Sequence, residues 1–395
     1  MSERRRILFA TIAAGGGHMA TAMAMAEALE RYFPGRFETR VSDYMADLGL
    51  LAADRRHKSF WRWALGHPHL IRAGQHLIDA VPRLTRGFHD LTLRQFAQAA
   101  AEHLAREPHD LVVANHGWLT VGLTRAQRRH GLRIPVLTFE TEPLDASALW
   151  AEPRAERFVV PSTAARDDLV RLGVGADRID IVGYPVRQAF LNAPERAAAR
   201  AELGLEARFT VLVSLGGEGV GADPRPVLEP LLGEDVQVVV MTGRNDALKD
   251  RLAPLARRGL RIEGFTDRMA WFIAAADVVV GKAGPASVFE ALAVGRPFVA
   301  TSYAGLNERA VVRFLEARAL GGYAARADEA VRRALVFREA GAAEAVAEWA
   351  AALDLAGMTE RLARYIAAYA DHGRGDPDMV GAGLDRAGEG PAPAR

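Results

Sequence analysis

The sequence of 395 residues contains no cysteine. That excludes disulfides, thiolate nucleophiles and Cys-ligated zinc, and it is compatible with a reducing, cytoplasmic setting. Long apolar runs are missing too. No stretch reaches the roughly 18 apolar residues that a membrane-spanning helix needs, so any membrane contact is expected to be peripheral. Net charge is nearly absent: 50 Lys and Arg against 49 Asp and Glu leave a formal +1. The chain as a whole has no drive toward nucleic acid, and none is expected as a partner. The N-terminal MSERRRILFATIAAGGGH is basic and then apolar. Its apolar part is short, is broken by three glycines and lacks a cleavage site, so it reads as a first strand rather than a secretion signal. Half of the residues are hydrophobic, and the length fits two globular domains.

Short β-branched runs alternate with helical patterns along the chain. Arg6–Thr11, Phe37–Val41, Asp110–Ala114, Ile134–Phe139, Phe158–Val160 and Ile179–Val182 are strand candidates in a first half. Thr210–Leu215, Val236–Met241, Arg261–Glu263, Val278–Val280 and Phe298–Thr301 are strand candidates in a second. The pattern predicts an α/β protein of two Rossmann-like, doubly wound domains facing a cleft. The expected boundaries are residues 1–185, a linker over 186–205, a second domain over 206–372, and a disordered tail rich in Gly, Pro and Asp over 373–395.

The most informative stretch is Asp277 to Pro297, DVVVGKAGPASVFEALAVGRP. A strand stops at Gly281 and a Lys-Ala-Gly-Pro turn opens a helix. Gly284 permits close backbone approach, Pro285 suits the first helical turn, and the N–H groups beyond it point into the loop. An anion is the natural guest, with Lys282 adding charge, Ser287 a hydroxyl, and Glu290 a carboxylate one turn on for ribose hydroxyls. A second glycine loop follows the first strand. There Gly15, Gly17 and Ala20, with Asp43 after the next strand, satisfy a dinucleotide fingerprint and support a rival reading as an NAD(P)-dependent oxidoreductase. Gly16 and Gly17 are expected to form an acceptor loop. His18 at the helix start, His116 after the third strand and Glu142 after the fourth are acid–base candidates, since parallel sheets bind ligands beyond the C-terminal ends of their strands.

Between Arg55 and Ala100 the composition shifts, with eight Arg or Lys against two Asp. Arg55, Arg56, Lys58 and Arg62 stand beside Trp61 and Trp63. Bulky rings next to cations suit an interfacial element on an anionic membrane. The expected location is accordingly cytoplasmic, at the inner face of the plasma membrane.

Taken in order, GGGH, Gly216-Gly217-Glu218-Gly219, Gly243-Arg244-Asn245, Gly264-Phe265, Lys282-Ala283-Gly284-Pro285, Ser287, Glu290-Ala291, Gly295-x-Pro297 and Asn307-Glu308 resemble the GT-B glycosyltransferases. The resemblance is strongest to monogalactosyldiacylglycerol synthases and processive diacylglycerol glucosyltransferases. It extends to the N-acetylglucosaminyltransferase of the lipid-linked peptidoglycan precursor, and spans residues 5–320. It implies an inverting hexosyltransferase that moves a hexose from a UDP-sugar to a lipid acceptor such as diacylglycerol, with a soluble acceptor as the alternative. By the same resemblance, Gly217, Glu218 and Gly219 would line the phosphate and sugar, Arg244 and Phe265 would approach the base, and Lys282, Gly284, Pro285 and Ser287 would hold the diphosphate. Glu290 would bind ribose, and Asn307 and Glu308 the donor sugar. No metal or other cofactor is implied, because a helix start and a cation can stabilise the departing diphosphate. The sequence departs from the diacylglycerol enzymes at Thr141-Glu142 and Ser147, where they carry Thr-Asp and a His before the Trp, and at Ala310-Val311 in place of a Gly-x-Asn pattern.

Overall fold

The computed structural model describes residues 4–13, 16–50, 67–81, 92–219, 223–257, 259–339, 341–381 and 383–387, with the single positions 55, 59 and 87. The chain divides into two compact units. In the first, β1 (Arg5–Thr11), β2 (Phe37–Asp43), β3 (Leu111–Ala114), β4 (Val136–Phe139), β5 (Arg157–Val160) and β6 (Ile179–Ile181) form a parallel sheet of order β2-β1-β3-β4-β5-β6. In the second, β7 (Thr210–Ser214), β8 (Gln237–Met241), β9 (Leu260–Glu263), β10 (Val278–Lys282), β11 (Phe298–Ser302) and β12 (Gly321–Tyr323) form a parallel sheet of order β12-β11-β10-β7-β8-β9. Helices cover both sheets. The central strands are therefore buried on both faces, and Ile7 to Ala10 and Val278 to Val280 read as unbroken apolar runs because neither side meets water. Burying each such valine contributes about 1.5–3 kcal/mol.

Strand order fixes where a ligand can sit. In a doubly wound sheet, helices cross over in opposite directions from one point, and the loops there splay apart at the C-terminal edge. That point lies between β1 and β3 in the first sheet and between β7 and β10 in the second. The second order is the dinucleotide type, read locally as 3-2-1-4-5-6. The first is the flavodoxin type, with no strand beyond β2 on that edge among the described residues, which weakens the NAD(P) reading of Gly15 to Ala20. Asp43, its proposed ribose ligand, accepts a hydrogen bond from the Ala13 N–H at 3.3 Å.

The boundaries differ from those expected. Gln188–Leu191 and Arg196–Leu203 are helices of the second unit rather than a linker. Arg196 and Arg200 reach Asp277 at 2.8 and 2.6 Å, and Asp277 also accepts from the Thr210 N–H at 2.7 Å. The opposite end of the chain returns to the first unit, which takes in Ala356–Arg386. On the helix Leu355–His372, Thr359 accepts from the Val186 N–H at 3.1 Å and Tyr369 donates to Glu156 at 3.1 Å. The described part of the expected disordered tail is also held. The Gly381 and Leu384 N–H groups donate to the Ile181 and Pro161 carbonyls, and Asp385 accepts from the Thr163 N–H. Contacts between residues this far apart in the chain leave no local composition signal.

Among the described residues no helix is long and apolar enough to cross a membrane. Of the basic and aromatic segment, Arg56, Lys58, Trp61, Arg62 and Trp63 lie outside the described residues, and Arg55 is exposed. Pro68–Ala80 is helical, with Leu70 and Leu77 exposed.

Candidate functional site

At the switch point of the first sheet the loops after β1 and β3 bring two imidazoles together, with ring centroids 4.8 Å apart. His18 lies in the first turn of the helix Gly16–Tyr32, and His116 caps the helix Gly117–His130. Gly17 is partly buried beside His18, Gly16 is exposed and Gly15 lies outside the described residues. The two rings differ in protonation geometry. His18 Nδ1 stands 2.9 Å from the Asn115 carbonyl, which can only accept, so Nδ1 carries the proton and the lone pair of the neutral ring lies on Nε2. Thr141 Oγ1 is a second neighbour of Nδ1 at 2.8 Å. His116 Nδ1 accepts from the Trp118 N–H at 3.2 Å, so its neutral ring carries the proton on Nε2 and presents a donor. Trp150, buried, lies 6.2 and 6.4 Å from the two rings, centroid to centroid.

The arrangement is braced from behind. The Asn115 side-chain amide donates to the His18 carbonyl at 2.6 Å, which clamps the helix start to the end of β3. Gly117 is obligatory, since a Cβ there would fall 2.3 Å from the Leu149 carbonyl oxygen in the loop that carries Trp150. Asn115 was not among the expected site residues, although its place after a strand and before His116 was the available signal.

Beyond β4, Glu140 and Glu142 flank Thr141 in an acidic neighbourhood. Glu140 is fully buried and neither of its carboxylate oxygens has a hydrogen-bond partner. Burial holds its proton on well above the usual carboxyl range, with Glu142 and Asp145 adding to the effect. Glu142 is partly accessible. Burial, reinforced by Asp145, pushes it up to about 8, against hydrogen bonds from the Trp150 indole and the Ser147 N–H that favour the charged form. The sequence pattern singled out Glu142, whereas the isolation of Glu140 required tertiary packing.

Beside the second switch point the loops after β7 and β8 are stitched together. Arg244 N–H donates to the Gly217 carbonyl at 2.9 Å, and Asn245 Nδ2 donates to the Gly219 carbonyl at 3.0 Å. Gly219 (φ 63°) and Gly243 (φ 58°) are left-handed, and a Cβ on Gly219 would fall 2.0 Å from the Thr242 carbonyl oxygen. Above this floor the Arg244 guanidinium stacks 3.7 Å from the Phe265 ring centre and meets Glu218 at 3.3 Å. Phe265 is 55% exposed, an open aromatic face able to stack on a planar group.

Across the same edge, β10 ends in a register shift between Gly281 and Lys282. The Gly284 N–H turns back to the Lys282 carbonyl at 2.7 Å, and the helix Pro285–Ala293 begins. Its first intrahelical bond is from Val288 to Gly284, so the Ala286 and Ser287 N–H groups precede the ladder and face outward at the positive end of the helix. Lys282, Gly284, Pro285, Ser287 and Glu290 are all partly accessible. Asn307 is partly accessible at the start of the helix Leu306–Ala317. Glu308 is buried and turned inward, with one carboxylate oxygen on Lys282 Nζ and the other accepting from the Ala304 N–H at 2.5 Å. A cation, a helix start and an aromatic face thus converge on one edge, an arrangement suited to a nucleoside diphosphate.

Residues 223–308 match the glycosyltransferase family 28 C-terminal domain. Over 333 residues the chain is 26% identical to monogalactosyldiacylglycerol synthase 1, chloroplastic, of Arabidopsis thaliana, covering 81% of this chain and 62% of that protein. Over 228 residues it is 34% identical to the UDP-N-acetylglucosamine--N-acetylmuramyl-(pentapeptide) pyrophosphoryl-undecaprenol N-acetylglucosamine transferase of Clavibacter michiganensis, covering 55% of this chain and 58% of that one. The chain spans about three fifths of the length of these curated relatives. Among solved structures, Anabaena Alr3699/HepE in complex with UDP and glucose superposes with a TM-score of 0.53 at 14% identity, over 92% of this chain and 100% of that one. A UDP-N-acetylglucosamine 2-epimerase described as putative, from Listeria monocytogenes, gives 0.58 at 14%, over 93% and 97%. The fold is GT-B, and the family resemblance read from the loops is reproduced by these relatives.

Proposed function

We propose that this protein is an inverting glycosyltransferase that moves a hexose from a UDP-sugar to a lipid-borne hydroxyl. The observation that carries the reading is the convergence of Lys282, the start of the helix Pro285–Ala293 and the Gly216–Gly219 loop at the second switch point. The fold alone would not decide, because an epimerase shares it. The relatives supply the rest: their printed names describe galactolipid synthesis and transfer to an undecaprenol-linked acceptor.

In this reading the diphosphate rests on Lys282 and the Gly284–Ser287 helix start, whose positive charge and N–H groups stabilise it as it leaves. Glu290 takes the ribose, Arg244 and Phe265 the uracil, and Asn307 the sugar, with no metal required. The first unit serves the acceptor. His116 is committed as a donor, since its Nδ1 lone pair already accepts from Trp118. His18 has its lone pair on Nε2 and its Nδ1 proton fixed by Asn115, the arrangement of an oriented general base. Glu142, held near 8, is the second candidate for that role. The basic and aromatic segment would dock the enzyme on anionic lipid.

The test begins with UDP. Thermal stabilisation by UDP should be present in the parent and clearly smaller in Lys282→Met; its absence from the parent refutes the reading. Turnover is then measured with a panel of labelled nucleotide sugars and total lipid extract, which reads donor and acceptor together. With the donor known, His18→Gln should lose about 100-fold or more in kcat with UDP affinity unchanged, and Glu142→Gln should lose far less. The reverse ranking assigns the base to Glu142.

A further inference from the structure

We propose that Glu308 acts on nucleotide binding through Lys282, as a positioning residue that holds and partly neutralises the ammonium. The inference deepens the donor site proposed above and rests on that reading. Both oxygens of the carboxylate are engaged within the protein: one on Lys282 Nζ, the other on the Ala304 N–H at 2.5 Å. The side chain is only 10% exposed. Of the roughly four acceptor sites of a carboxylate, one is thus committed to its own loop and one to a cation, which ties the direction of this side chain to Lys282.

The brace has a clear mechanical basis. Lys282 lies at the register shift where β10 leaves the sheet, so the regular ladder does not fix its direction. The backbone beside it is held by the Ala283 N–H on the Ser302 carbonyl at 2.9 Å and by the Gly284 turn at 2.7 Å, but its ammonium stands at the end of a flexible four-carbon stem. Glu308 supplies the missing constraint from the first turn of the helix Leu306–Ala317, and the Ala304 N–H fixes Glu308 in turn. The ammonium then lies against the helix start, with Nζ 3.6 Å from where a Gly284 Cβ would be. An ammonium has three N–H donors, and Glu308 takes one. The paired charge lowers the electrostatic attraction for a diphosphate, which favours release of the nucleotide product.

The experiment uses the full chain and UDP as probe, with dissociation constants measured by calorimetry at low and physiological salt for the parent, Glu308→Gln, Lys282→Met and the double variant. Glutamine keeps the shape and can still accept from Ala304, but its amide nitrogen then faces the ammonium, so the change removes the charge and releases Lys282. Glu308→Gln is expected to bind UDP about three- to tenfold more tightly than the parent, with a steeper salt dependence, as for a cation released from a partly buried pair. In the Lys282→Met background the same substitution should change nothing. Unchanged or weaker UDP binding in Glu308→Gln overturns the inference, as does a gain that survives removal of Lys282. A parent that fails to bind UDP refutes the donor-site reading itself, so the two failures are distinguishable. Ligand-free melting temperatures of all four proteins report whether a variant has lost its fold; if Glu308→Gln has, Glu308→Asp, which keeps the charge but shortens the reach to Lys282, should weaken UDP binding only when Lys282 is present, and a loss independent of Lys282 overturns the inference.

Discussion

Gly219→Ala offers a sharp test of the floor beneath the second switch point. At φ 63° a Cβ costs about 1 kcal/mol from backbone conformation alone. The larger effect is steric: the new methyl would sit 2.0 Å from the Thr242 carbonyl oxygen and 2.5 Å from the Asn245 Cβ, so the loops must separate. Separation endangers the Asn245 Nδ2 bond to the Gly219 carbonyl and the Asn245 cap on the Leu248 N–H, each 3.0 Å long. At about 1 kcal/mol for each bond, the summed cost is about 3 kcal/mol. Gly217→Ala is the matched control two residues away, where the nearest atom to a new Cβ is Arg244 NH1 at 3.9 Å and φ is not left-handed; its stability should fall by about 0.5 kcal/mol or less. Urea titration, with hydrogen exchange on Val211–Val213 to isolate the second domain's transition, measures both. If the two variants have equal midpoints, the close approach of Gly219 to Thr242 does not organise this edge and the reasoning fails. UDP binding adds an independent readout, because Gly217→Ala should weaken it by crowding the loop without unfolding anything.

Further outcomes follow from the first unit. Glu140 binds its proton more tightly folded than unfolded, so its contribution to stability falls as pH rises above the ordinary carboxyl value of 4.5, by about 1.4 kcal/mol per pH unit until the folded group ionises. Glu140→Gln removes that slope, and denaturation midpoints from pH 5 to 8 should diverge in favour of the variant; parallel curves would show that the side chain is hydrated. Trp150→Phe deletes the indole hydrogen bond that lowers the proton affinity of Glu142. Its titration, followed by carbon NMR on labelled glutamate, should move up by about one pH unit, and a downward move would contradict the geometry.

Much of the architecture was legible in the chain because it is written in short-range pattern. Of the twelve strands among the described residues, eleven coincide with strand candidates of the sequence, most plainly β3, β4, β7 and β8, which are buried at every position and so are almost wholly apolar. The exception, β12 (Gly321–Tyr323), is a glycine pair whose strand character comes from pairing with β11: a Cβ on Gly321 would fall 1.9 Å from the Phe298 carbonyl oxygen. The glycine loops and the Lys-Ala-Gly-Pro turn were equally plain, because close approach and helix starts demand particular residue types. What local pattern could not carry was the meeting of distant groups. The return of Ala356–Arg386 to the first unit, the proton placement on His18 and His116, the isolation of Glu140 and the inward turn of Glu308 onto Lys282 each depend on atoms brought together from separate elements. Residue type and spacing determined that this chain would build two parallel sheets, each with a glycine loop after its first strand. Which lone pair is presented, which carboxyl stays neutral and which cation is already paired were decided only by packing, because proton affinity and charge depend on the surroundings of a side chain and not on its place in the sequence.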